Sequence, residues 1–283
     1  MVVLVTGASG QLGQALQFIQ RKYPEIQFIF ASSADLDITN EEKVASFFES
    51  NQIDFCINTA AYTAVDKAES ESEKANTVNV IGPENLAKAC KASGATLIHI
   101  STDFVFDGTS SRPYSEEDPT NPIGIYGQTK LNGEKKVADN CTKYYIIRTS
   151  WVYSQFGNNF MKTMLRLAQD RDTLNVVNDQ IGTPTNAVDL AEAIVAIIKH
   201  PNSSEEQNSG IYNFSNEGIC SWFDFAKEIF RINAIPITVN PIPTEAYPTP
   251  AKRPAYSVLD KSKIKAIFDI NIKPWQESLL QTL

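Results

Sequence analysis

The sequence predicts an α/β protein: a doubly wound parallel sheet with helices on both faces, followed by a small C-terminal α/β lobe. Three observations carry this prediction. Apolar, β-branched runs alternate with amphipathic segments from residue 2 to residue 148; the first run leads into glycines at positions 7, 10 and 13; and beyond Arg148 the alternation loosens into shorter pieces and a proline-rich stretch. Near-continuous apolar strands separated by helices mark a sheet buried on both faces, whose ligands bind beyond the carboxyl ends of its strands. At 283 residues and 42% hydrophobic content the chain can bury a sizeable core and still build a lobe.

In chain order, residues 2–5 read as the first strand and residues 14–22 as the first helix, joined through Gly7, Gly10 and Gly13. Glycine suits that turn because it adopts backbone angles barred to other residues and lets a pyrophosphate approach the helix N-terminus without meeting a Cβ. The turn is thus an anion cradle of the Rossmann type. Residues 27–31 give the second strand. A helix over 40–50 has Thr39 or Asn40 as its cap and Glu41 and Glu42 in its first turn, where acids suit the helix dipole. Then follow a strand at 53–58, a helix at 78–92, a strand at 96–101, a long helix at 126–138 and a fifth strand at 144–148. In the second half, helices are expected at 158–168, 187–200 and 221–230, strands at 174–177 and 211–214, and closing helices at 260–267 and 275–283. The proline-rich run 236–254 has few helical options and is expected to lie extended over the surface. This divides the chain into a cofactor-binding domain, 1–150, and a mainly substrate-binding lobe, 151–283, some of whose segments return to the Rossmann core.

A net charge of −8 without any Lys/Arg-rich run argues against nucleic acid or an anionic membrane as partner. The chain enters its first strand without a basic leader, and no apolar run reaches the ~18 residues of a membrane span, so a cytoplasmic protein is expected. Cys56, Cys90, Cys141 and Cys220 lie far apart and form no CxxC pair, which points to buried thiols and to neither a disulfide framework nor a zinc site.

The chemistry lies after the fourth strand. Ser101 to Gly108 reads STDFVFDG, and Tyr126 to Lys130 reads YGQTK at the start of a helix. Residues four apart on a helix share a face, so the ammonium of Lys130 is expected to lower the pKa of the Tyr126 phenol towards a working range, with the Thr102 hydroxyl holding a substrate oxygen beside it. His99, between Ile98 and Ile100, reads as a satisfied core residue, and most charges of the acidic run 66–74 as a solvated helix face. His200 ends a helix, where a cation suits the dipole. The second strand ends in Ala31, Ser32 and Ser33 with no acid in place to bind ribose hydroxyls, so NADPH is expected to be moderately preferred and NADH still usable.

With a glycine cradle, Ser-Thr at a strand end and YxxxK in that order, the chain resembles the extended short-chain dehydrogenase/reductase superfamily. Within it, GASGQLG, NTAAYTAVDKAE (58–69), STDFVFDG, YGQTKLNGE (126–134), RTSWVY (148–153), NDQIGTPT (178–185) and AYPTPAKRPAYSVLD (246–260) resemble the dTDP-4-dehydrorhamnose reductase family. The resemblance implies NAD(P)H-dependent reduction of a nucleotide-linked 4-keto sugar, with Thr102, Tyr126 and Lys130 catalytic. It places the pyrophosphate at Gly10, Gln11 and Leu12, the adenine by Asp37 and Ile38, and the rest of the cofactor along Ala60, Ala61, Tyr62 and Thr63. It implies that Val65, Thr102, Asp103, Phe104, Tyr126 and Trp151 meet the sugar; Arg253 could pair with its diphosphate bidentately. Phe104 departs from the family, which often has tyrosine there. The resemblance also allows Mg2+ at a dimer contact, without assigning ligands, and leaves monomer or homodimer open. A nucleotide-sugar epimerase or dehydratase, or a non-catalytic subunit like the β subunit of methionine adenosyltransferase, remain rival readings.

Overall fold

Strand and helix alternate through the first half of the computed structural model, which describes residues 1–203 and 205–282. The elements are β1 (Val2–Thr6), α1 (Gln11–Ile19), β2 (Gln27–Ala31), α2 (Glu41–Ser50), β3 (Phe55–Asn58), α3 (Val65–Ala68), α4 (Ser72–Asn76), α5 (Gly82–Ser93), β4 (Thr96–Thr102), α6 (Ile125–Asn140) and β5 (Tyr144–Thr149). The second half adds β6 (Val152–Tyr153), α7 (Phe160–Leu167), β7 (Thr173–Val177), β8 (Ile181–Gly182), β9 (Thr185–Asn186), α8 (Ala187–Lys199), β10 (Gly210–Asn213), β11 (Cys220–Ser221), α9 (Trp222–Ile232), β12 (Thr238–Ile242), α10 (Ser262–Phe268) and α11 (Trp275–Leu280). Leu283, in the expected closing helix, lies outside the described residues.

Capping sets several of these bounds. α1 starts at Gln11, three residues before the expected start, because Gly10 serves as its N-cap. Asn40 caps α2 by accepting from Lys43 N, which settles the choice between Thr39 and Asn40. Ser221 and Asp224 close a capping box on α9. The expected helix at 78–92 is instead a π-type turn, Thr77–Ile81, running into α5.

The central sheet has the order β10-β5-β4-β3-β1-β2, and its pairings are parallel. One face is covered by α1, α8 and α10 through Leu16, Ile19, Leu190, Ile194 and Ile264; the other by α2 and α5 through Val44, Phe48, Leu86 and Cys90. So α8, β10 and α10, from the second half of the chain, build into the central core. A separate cluster around Tyr153, Met164, Phe225, Ile229 and Trp275 supports the remaining C-terminal elements. The proline-rich run is more structured than expected: β12 pairs in parallel with β7 in a two-stranded sheet, where Pro241 has a free edge to face. All four cysteines are buried and free.

Candidate active site

The strand order reverses between β1 and β3, and the Gly7–Gly13 turn lies at that switch point, where ligands of such sheets bind. Gly7 leaves β1 with φ +70°, and a Cβ there would lie 2.5 Å from the Ala60 amide nitrogen, so glycine alone lets the turns after β1 and β3 touch. At Gly13 a Cβ would meet Ala8 Cα and Gly7 O at 2.6 Å, preventing α1 from closing onto its own turn. Gly10 caps α1 with ordinary backbone angles and no side-chain cap, leaving the first amides of the helix, those of Gln11, Leu12 and Gly13, without intrahelical acceptors. An open, positive helix end behind a bare turn fits a dinucleotide pyrophosphate.

The side chains of the neighbouring candidates are occupied elsewhere. Leu12 is buried in the core. Gln11 turns to the lobe, where its Oε1 accepts from Ser154 Oγ at 3.1 Å and Asn159 Nδ2 at 2.9 Å. Ile38 is buried against Gly82, and Asp37 Oδ1 accepts from Thr39 N at 3.0 Å and Thr39 Oγ1 at 2.7 Å, closing a turn. These residues therefore offer a ligand mainly backbone groups. At the end of β2 the expected absence of an acid is corrected: Asp35 accepts from Ser32 N at 2.9 Å and Ser32 Oγ at 2.6 Å. The carboxylate escaped the sequence reading because a turn, closed by Asp35 N donating to Ser32 O, folds it back to the strand end.

The loop Ala60–Ala61–Tyr62–Thr63 is held by two buried asparagines. Ala60 N donates to Asn58 Oδ1 at 3.2 Å and Tyr62 N to Asn79 Oδ1 at 2.9 Å. Asn79, in the π-type turn, also donates to Thr129 Oγ1 at 3.1 Å and so ties this loop to α6. Nothing in the sequence singled Asn79 out.

At the other end of the site the structure brings Thr102, Asp103, Phe104, Tyr126 and Lys130 together. Thr102 ends β4; its Oγ1 accepts from Phe104 N at 3.2 Å and donates to Asp103 Oδ1 at 3.0 Å. Gly127 lets α6 approach this turn, since a Cβ there would lie 2.1 Å from Phe104 O. The Phe104 and Tyr126 rings meet edge to face with centroids 5.5 Å apart. Beneath them, buried Glu134 accepts from Ser101 Oγ at 2.5 Å and from Arg148 at 2.7 and 3.0 Å, fixing α6 to β4 and β5.

The electrostatics correct one expectation. Burial pushes the Tyr126 phenol up to about 12, with Thr102 opposing and Asp103 reinforcing the shift. Lys130 does not draw it down, because its Nζ turns inward, donating to Ile100 O at 2.6 Å and lying 3.4 Å from His99 Nε2. Sharing a helix face was not enough; the β4 carbonyl claims the ammonium. Burial lowers Lys130 itself to about 8, against the pull of Glu134. Burial also raises Asp103 to about 6, with hydrogen bonds from Ser257 and Thr102 opposing the shift. His99 is buried as expected, yet it touches Lys130, a neighbour the sequence did not suggest.

On the lobe side, Trp151 follows β5 with φ +47°, a strained value for a bulky residue. Its indole stacks on Trp222 with centroids 3.6 Å apart, and a Cβ at Gly182 would lie 2.7 Å from the Trp151 ring. Trp222, some seventy positions away in sequence, gave no signal. Val65 opens α3, half-buried. The next residue corrects one expectation: Asp66 binds the Arg253 fork at 2.8 and 3.1 Å, so Arg253 is not a free guanidinium waiting for a diphosphate. Among the described residues no group of three or more His, Cys, Asp or Glu is placed to hold a metal ion, and no residue is assigned to Mg2+.

A glycine turn at the switch point of a parallel sheet, with Thr102 ending the fourth strand and Tyr126 and Lys130 on the helix beside it, is the layout of a Rossmann-type oxidoreductase. More narrowly, the chain belongs to the family described as the RmlD substrate binding domain, whose profile matches residues 1–283. A dTDP-4-dehydrorhamnose reductase of Aggregatibacter actinomycetemcomitans is 43% identical over 284 residues, covering 98% of this chain and 96% of the relative. Among solved structures, a Clostridium acetobutylicum dTDP-4-dehydrorhamnose reductase superimposes with a TM-score of 0.93 at 46% identity, covering 100% of this chain and 98% of that one. The Bacillus anthracis enzyme of the same name, in complex with NADP, gives 0.94 at 40% identity over 99% of this chain and 98% of that one.

Proposed function

We propose that this chain reduces dTDP-4-dehydro-L-rhamnose to dTDP-L-rhamnose with NADPH, as a step in making nucleotide sugars for surface polysaccharide. The observation that carries the reading is that Thr102, at the end of β4, and Tyr126 and Lys130, one turn apart on α6, lie at the same edge of the parallel sheet as the Gly7–Gly13 turn after β1. Bound in that cradle, NADPH supplies the hydride. Tyr126 holds its proton at neutral pH and gives it to the sugar oxygen as charge develops there; such a group contributes about 10²–10⁴ in rate. Thr102, fixed by the turn it caps, orients that oxygen. Lys130 holds the nicotinamide ribose. The Trp151–Trp222 stack and Val65 wall the sugar. Residues 151–283 act mainly as the substrate lobe. The NADP-bound relative supports NADPH as cofactor, and Asp35, occupying the Ser32 donors, keeps NADH usable.

Dehydration needs one group to take a proton and a second to give one. Here Asp103 is followed by Phe104, which transfers none, so net reduction is the reaction expected. With NADPH and dTDP-4-dehydro-L-rhamnose the chain should oxidise one NADPH per sugar and leave dTDP-glucose unchanged. Loss of water from dTDP-glucose by mass spectrometry would point to a dehydratase. No turnover, together with tight binding to a methionine adenosyltransferase, would point to a regulatory subunit.

A further inference from the structure

A line of buried polar side chains crosses the sheet from β1 to α6. Thr6 Oγ1 donates to Asn58 Oδ1 at 2.8 Å, Asn58 Nδ2 lies 3.0 Å from His99 Nδ1, and His99 Nε2 lies 3.4 Å from Lys130 Nζ. The orientation of the Asn58 amide is fixed independently, because the Ala60 backbone N–H, which can only donate, points at Asn58 Oδ1 from 3.2 Å. Asn58 therefore presents its NH2 to His99, Nδ1 must accept, and a neutral imidazole must carry its proton on Nε2. Burial holds His99 neutral.

We propose that Asn58 locks His99 in the Nε2–H form and that this N–H, aimed at Lys130, makes His99 a positioning residue that favours the neutral amine of the lysine over its ammonium. A donor facing Nζ forms a hydrogen bond to the amine lone pair, but opposes a cation that has only donors. Lys130 is thereby a group that can lose its proton near physiological pH, in line with its lowered value of about 8. The other groups around it act differently. Glu134 on the same helix favours the cation but is paired with Arg148 of β5; Asp103, after β4, bonds to Thr102; and Tyr126 lies one turn away. Just after α3, Glu69 accepts from Ile125 N; Glu84 of α5 pairs with Lys136; and Glu73 of α4 lines a cavity with Gln128, all along the outer side of α6.

The proposal rests on Lys130 being the lysine of the proposed reductase, but its test does not need turnover. The chain has two histidines, so 15N-edited spectra of the whole protein resolve His99 against His200 as internal control. His99 should show a bare Nδ1 and a protonated Nε2, and its Nε2 resonance should shift with a midpoint near pH 8 that disappears in Lys130→Met. In Asn58→Asp the carboxylate can only accept, so the imidazole proton moves to Nδ1 and donates to it, the tautomer should reverse, and the basic limb of kcat/KM should move up by about one pH unit, a tenfold change in proton affinity. An Nδ1–H tautomer in the unaltered protein, or an Nε2 response that persists in Lys130→Met, overturns the proposal even if Asn58→Asp does not fold. A reversed tautomer with an unmoved limb overturns it as well. Absence of reductase activity with the spectra as expected would instead count against the function.

Discussion

The two ends of the site are made from different materials. At the proposed phosphate end, Gly7, Gly10 and Gly13 contribute by having no side chain, and Leu12, Ile38 and Asp37 point their side chains into the core or a turn. At the acid–base end the work falls to buried side chains that hold one another: Thr102 with Asp103, Lys130 with Ile100 O and His99, Glu134 with Ser101 and Arg148. A backbone site fails when a Cβ is added. A side-chain site fails when one partner is removed, because buried polar groups left unpaired are costly.

Substitutions should separate these two modes. The largest effect is expected for Tyr126→Phe, which removes the proton donor and leaves the cradle intact: kcat should fall by about 10²–10⁴ while NADPH affinity, followed by fluorescence, stays near normal. Gly13→Val should do the reverse, abolishing cofactor binding, since its Cβ would lie 2.6 Å from backbone atoms. Next comes Glu134→Ala, which strands Arg148 in a site where both side chains are 3% exposed; urea unfolding should show a loss of about 3–5 kcal/mol.

Asp103→Asn should act in the opposite direction. The folded-state value of Asp103, about 6, lies above its ordinary 3.8, so the folded protein binds the proton more tightly than the unfolded chain, and this group's contribution to stability declines as pH rises between those values. The variant should therefore be more stable than the parent at pH 8, by about 2–3 kcal/mol, and lose that advantage below pH 4. Thermal melts across this range check it; a variant less stable at pH 8 would contradict the burial argument. The smallest effect is expected for Asp35→Ala at the exposed cofactor rim: freeing the Ser32 donors should raise the NADPH-to-NADH ratio of kcat/KM by no more than about fivefold.

The same contrast explains what the sequence disclosed. The cradle was legible because bare turns are written in closely spaced glycines, and β2, Gln27–Ala31, was placed residue for residue by its apolar run and flanking breaks. Tyr126, Lys130 and Thr102 were legible through spacing and order. Their electrostatics were not, because whether Lys130 turns to Tyr126 or to Ile100 O depends on how close β4 lies under α6. Asn79, Trp222 and the Asp66–Arg253 pair were hidden for a related reason: each acts on a partner brought close by tertiary folding alone. His99 sat in plain view as a polar residue inside an apolar strand, and its neighbour across the layer gives it a role the strand could not reveal.

The central claim is that the cradle and the corner deliver one hydride and one proton to the same sugar. Single turnover with NADPH deuterated at the transferred position of its nicotinamide tests it most directly. The account predicts one deuterium at carbon 4 of dTDP-L-rhamnose for each cofactor oxidised, with transfer slowed by Tyr126→Phe. Sugar product without deuterium at carbon 4, or transfer at an undiminished rate in Tyr126→Phe, would contradict it.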